Sequence, residues 1–91
     1  MRRALVAGNW KMHKTVAEAR RLVAELLERL PADGPEVMVA PPFTALHAVG
    51  QMVQGTRLRL GAQDVFWEAE GAFTGEISPL MLREVGCSYV I

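Results

Sequence analysis

Ninety-one residues allow one domain at most, whole or partial, and the 51% apolar, 22% charged composition excludes a disordered chain. A formal charge of zero, with both signs interspersed, argues against a nucleic-acid or anionic-membrane surface. A chain of this size buries only roughly 60–65% of its unfolded surface, so its core is marginal unless something else completes it.

The first apolar run, Ala4–Ala7, reads as a strand. It follows two arginines, yet it is too short for a signal peptide, which needs about 7–15 apolar residues, or for a membrane span, which needs about 20. A single cysteine, Cys87, excludes an internal disulfide and fits a reducing compartment. A soluble, cytoplasmic protein without a membrane partner is expected.

Thr15 followed by Glu18 is a capping box. Val16, Ala19, Leu22, Val23, Leu26, Leu27 and Leu30 then recur at steps of three and four, predicting a helix with one apolar stripe that Pro31 and Gly34 end. A second strand is expected at Val37–Ala40. A second helix is expected from Thr44, with Leu46, Val49, Met52 and Val53 inward and Gly55 closing it. Leu58–Ala62 is the third strand, interrupted by Arg59. Ser78 and Pro79 open a third helix that Gly86 caps, and Tyr89–Ile91 is the fourth strand. Continuous apolar character in the first, second and fourth strands predicts cover on both faces.

The order β-α-β-α-β-α-β defines an α/β protein with a parallel sheet and right-handed crossovers. Periodicity leaves two architectures open, a doubly wound sheet or part of a (β/α)8 barrel. In both, the working surface lies at the C-terminal ends of the strands. That surface comprises Gly8 to Lys14, Pro41 to Phe43, and the segment from Gln63 to Ser78. Strand-to-helix loops usually run roughly two to six residues, so the third segment is long enough to favour binding over mere connection.

Asn9 is the only asparagine, and Lys11 and Lys14 are the only lysines. An ammonium at this rim can hold a phosphate or stabilise a developing oxyanion, although a solvated lysine has the same position. The Asn9 amide can donate to a substrate oxygen, or serve as a turn residue. Trp10 reads as packing. His47 reads as helix surface, His13 as loop packing and Cys87 as a small buried residue preceding the fourth strand. No spacing indicates a metal or cofactor, and no glycine-rich phosphate loop is present. Gln63 and Asp64, ending the third strand, can cap it, bond across to the strand-one loop, or meet a partner.

The stretches "AGNWKMHKT", "APPFTAL", "LGAQDV" and "EGAFTGEISPLMLREVG" together resemble the triosephosphate isomerase family in order and spacing, across essentially the whole chain. The resemblance implies the N-terminal β-α-β-α-β-α-β part of a (β/α)8 barrel, with residues 1–91 an incomplete single domain. It also implies a homodimer and interconversion of dihydroxyacetone phosphate with glyceraldehyde 3-phosphate in glycolysis and gluconeogenesis, through an enediolate and without cofactor or metal. Lys11 resembles the family's active-site lysine, facing the substrate phosphate and the reacting oxygen, and Asn9 its substrate-bonding asparagine. Gln63, Asp64, Phe73, Thr74, Gly75 and Glu76 fall in its interdigitating dimer loop. His13 and Asp64 stand where many members carry asparagine, which reads as tolerated variation.

A barrel of this class needs about 250 residues. The family's catalytic histidine, its catalytic glutamate with the lid, and its later phosphate loops would follow Ile91. The 91-residue chain alone is therefore expected to be inactive and to require the remainder of the barrel. The competing expectation is a self-associating half-barrel module without catalysis.

Overall fold

The structure is a computed structural model that describes residues 2–91. Its elements run β1 (Leu5–Asn9), α1 (Val16–Arg29), β2 (Glu36–Ala40), α2 (Phe43–Val53), β3 (Leu58–Ala62), α3 (Pro79–Val85) and β4 (Cys87–Val90). Three local signals place the helices. Thr15 and Glu18 form the capping box in both directions, with the Thr15 amide donating to Glu18 at 2.9 Å. Ser78 caps α3 through the Met81 amide, and Gly86 ends it in the left-handed region at φ 100. α2 differs from expectation: it begins at Phe43, after Pro42, without a side-chain cap. Pro42 takes the N-cap position at φ -59 and ψ 157, its ring fixing φ there.

The strands form one parallel sheet in the order β1-β2-β3-β4. A doubly wound sheet reverses its strand order at a switch point, whereas a barrel keeps sequence neighbours adjacent. The order therefore selects the barrel-type unit.

Alternation along the strands sorts the two faces. Val39 of β2 and Leu58, Leu60 and Ala62 of β3 join Ala19 and Val23 of α1, Leu46, Val49 and Val53 of α2, and Leu82 of α3 in one buried cluster. All three helices thus cover the same face. The opposite face carries Glu36, Met38, Arg59, Gly61 and Tyr89. There the Tyr89 hydroxyl donates to Glu36 at 2.6 Å, and Arg59 approaches the same carboxylate at 3.8 Å.

Cover on both faces holds for β2, whose Met38, Val39 and Ala40 are buried, but not for β1 or β4. Val6 is 53% exposed and Ile91, just past β4, 57%. Both strands are sheet edges, with a neighbour on one side only, and an apolar run does not encode whether its second neighbour is in place. Strand boundaries also move: β1 runs from Leu5 to Asn9 rather than ending at Ala7, β2 begins at Glu36, and β4 opens at Cys87 and ends at Val90.

Candidate active site

β1 ends where its pairing with β2 ends, at Asn9 opposite Ala40. The Trp10 amide still reaches the Ala40 carbonyl oxygen at 3.2 Å, while the chain beyond it turns away from the sheet. The Asn9 side chain makes the turn: its Oδ1 accepts the Lys11 amide at 2.9 Å, a local bond that asparagine is suited to form. Lys11 then adopts φ 54, and Lys14 φ 82. For a residue with a Cβ, such a conformation costs on the order of 1–3 kcal/mol and persists only where surrounding contacts fix it.

Those contacts come from three places. Asn9 holds the Lys11 N–H. Gln63, the first residue after β3, reaches past the end of β2 and donates from Nε2 to the Lys11 carbonyl oxygen at 2.8 Å. The same nitrogen donates to the Ala40 carbonyl oxygen at 2.8 Å. Four residues further on, the capping box fixes the start of α1, and its Thr15 hydrogen bonds, from the amide first and then the hydroxyl, hold the Glu18 carboxyl below its usual value.

Bonding through Oδ1 leaves the Asn9 NH2 group to face outward, and among the described residues neither it nor the Lys11 ammonium has a hydrogen-bond or salt-bridge partner. Both residues are exposed. The turn therefore presents two neutral N–H donors and one positive charge from a backbone that is itself immobilised. An exposed ammonium beside amide donors can attract an anionic group or stabilise a developing oxyanion.

Residues 63–78 form a loop with internal order. The Phe66 amide donates to the Ile77 carbonyl oxygen at 2.8 Å, tying its two ends together, and Val65 and Ile77 pack on the core. The Phe66 and Phe73 rings lie 4.4 Å apart between centroids. Gly71, at φ 150, admits this packing, because a Cβ there would lie 2.5 Å from the Phe73 ring. The Glu76 amide donates to the Phe73 carbonyl oxygen at 3.0 Å, closing a turn with Gly75 at φ 88, so Thr74 sits at an exposed tip. Asp64 is exposed and accepts the Val65 amide. Trp67 is 78% exposed.

Of the residues picked from the sequence, Asn9, Lys11 and Gln63 thus come together, while Phe73, Thr74, Gly75 and Glu76 form a separate projecting tip. Trp10 packs on the core, His47 lies on the exposed side of α2, and burial pushes the Cys87 thiol up to about 11, away from nucleophilic use. Sequence reading overlooked Phe66 as the partner of Phe73; their spacing in an irregular loop follows no period. Among the described residues no group of His, Cys, Asp and Glu could hold a metal ion. A cavity of about 440 Å³ lies between α2, β3 and α3, and none of the turn residues line it.

A parallel βα unit wound in sequence order, with polar groups collected at the strand ends, defines a barrel-class α/β protein. Residues 4–91 match the family model for triosephosphate isomerase. The whole chain aligns with curated proteins named triosephosphate isomerase: 61% identity to that of Roseiflexus sp. (strain RS-1), 56% to that of Thermoanaerobacter pseudethanolicus and 47% to that of Dictyoglomus thermophilum. It spans 36–37% of the length of these relatives. The chain belongs to the triosephosphate isomerase family.

Proposed function

We propose that these residues supply the electrostatic part of a site that interconverts dihydroxyacetone phosphate and D-glyceraldehyde 3-phosphate. The observation that carries this reading is the turn that locks Asn9 and Lys11 together with their donors outward. Abstraction of a proton beside the substrate carbonyl places negative charge on its oxygen as the enediolate forms. The Lys11 ammonium stabilises that oxygen and attracts the phosphate, and the Asn9 NH2 group orients the substrate beside it. Because the turn is held before substrate arrives, little reorganisation accompanies the developing charge.

Triosephosphate isomerase moves the proton with a glutamate base and polarises the carbonyl with a neutral histidine. His13, an exposed loop residue, and His47, on the outer side of α2, do not serve as that histidine in this reading. Residues 1–91 by themselves therefore do not turn the substrate over and need the remaining barrel. The reaction is the cytoplasmic one of glycolysis and gluconeogenesis; no helix among the described residues is long and apolar enough to cross a membrane. The working form is a homodimer, a reading supported by the exposed Thr74 tip and the outward Trp67.

The test is Lys11→Met in the full-length gene product, assayed with both triose phosphates. Loss of a preorganised stabilising charge lowers kcat/KM by about 10²–10³. A wild-type product without isomerase activity, or a variant within about threefold of it, overturns the reading.

A further inference from the structure

Gln63 falls in the loop segment expected to face a partner, yet its side chain turns inward to the Lys11 turn. We propose that Gln63 is a positioning residue for Lys11, setting the direction of the ammonium by fixing the backbone that carries it.

The argument begins with donor accounting. A glutamine amide has two N–H donors on one nitrogen, and here that nitrogen serves two carbonyl oxygens, of Lys11 and Ala40, at 2.8 Å each. Ala40 is the last residue of β2, and its carbonyl oxygen also accepts the Trp10 amide. One side chain from the end of β3 thus joins the end of β2 to the turn after β1, across three strands. Lys11 sits at φ 54, a conformation that a residue with a Cβ keeps where surrounding contacts fix it. Asn9 holds the N–H and Gln63 the C=O. With the carbonyl released, the peptide after Lys11 is free to rotate, and the exposed side chain swings with it. Only a side chain with two donors on one atom makes both bonds. Glutamate has the same size but would press acceptors against two carbonyl oxygens.

Its activity readout rests on the isomerase reading above, and a second readout does not. In the full-length gene product, Gln63→Ala and Gln63→Glu are made in the wild-type and Lys11→Met backgrounds. Positioning predicts that each lowers kcat/KM about ten- to hundredfold in the wild type, as small misplacements of catalytic groups do. It predicts less than about a threefold effect in the Lys11→Met background, because the residue acts through the ammonium already removed. Equal losses in both backgrounds overturn the proposal and leave Gln63 a structural cap.

The second readout is hydrogen exchange of the Lys11 amide, which needs no catalysis. Either variant should speed it by about tenfold or more while exchange in α1 stays unchanged. If the wild-type product proves not to be an isomerase, this measurement decides alone: selective acceleration supports the positioning role, and unchanged exchange at Lys11 refutes it.

Discussion

Asn9 Oδ1 lies 2.9 Å from the Lys11 amide nitrogen, so the group that shapes the turn and the group that faces outward sit at opposite ends of one side-chain amide. The two roles are separable. Asn9→Asp keeps an acceptor for the Lys11 amide but loses the NH2 donors and puts a negative charge beside the ammonium. Asn9→Ala loses both functions. In the full-length gene product, Asn9→Asp should retain slow exchange at the Lys11 amide yet lower kcat/KM by about 10²-fold or more. Asn9→Ala should lower activity and speed exchange together. Activity in Asn9→Asp near that of the wild type would show that the outward donors are idle.

Gly50 lies on α2 where that helix meets the end of α3, and a Cβ there would overlap the Val85 carbonyl oxygen. Within a helix, glycine to alanine ordinarily stabilises by roughly 0.5–1 kcal/mol. Here the obstacle is backbone, which cannot rotate aside as a side-chain tip can. Gly50→Ala should therefore lose about 1–3 kcal/mol in urea unfolding, while alanine at the neighbouring exposed Gln51 stays near neutral. A gain in stability for Gly50→Ala would mean that the two helices separate freely.

What could be read ahead of the structure was local. Thr15 with Glu18, Ser78 with Pro79, and Gly86 act within one helical turn, so their spacing alone placed the helix ends. The position of Asn9 and Lys11 at the rim followed from the end of an apolar run, but the conformation of Lys11 did not. That conformation depends on Gln63, 52 residues away, and a bond between two loop ends leaves no periodic trace. The exposure of β1 has a related cause: Leu5 and Val6 suit a covered strand, and their exposure reflects which neighbours are in place. Cys87 and Ser88 belong to β4 without a sequence signal, because a glycine cap directly before them masks the first ladder pair, Leu60 with Cys87.

Tyr89 and Glu36 connect β4 to β2 over the intervening β3, and the hydrogen bond to Glu36 is the main reason the Tyr89 hydroxyl is held above its ordinary value of 10.0. A raised value in the folded state means that the protonated phenol is the stabilising form. Its contribution is complete below the unfolded value, near pH 10, and is lost as pH rises through the folded one. The stability difference between wild type and Tyr89→Phe should be constant from neutral pH into the weakly alkaline range and shrink above pH 10, as read by urea unfolding of the full-length product. A difference independent of pH would show that the hydroxyl bond adds nothing. Arg59, half exposed and 3.8 Å from the same carboxylate, should matter little, as is usual for exposed ion pairs.

The two outer strands bear on the 91-residue polypeptide made by itself. β1 and β4 each have one unpaired edge, and the exposed side chains along and just beyond them include Leu5, Val6, Val90 and Ile91. Unpaired edges with apolar side chains recruit further strands. We therefore expect this polypeptide to self-associate, with light scattering that rises with concentration, and to show no isomerase turnover. Val6→Lys should reduce the association, since a charge on an edge strand opposes pairing with another chain while costing little where the side chain is already exposed. A monomer at all concentrations with native-like amide dispersion would show instead that the helix-covered core around Val49, Leu58 and Leu60 is sufficient without edge pairing.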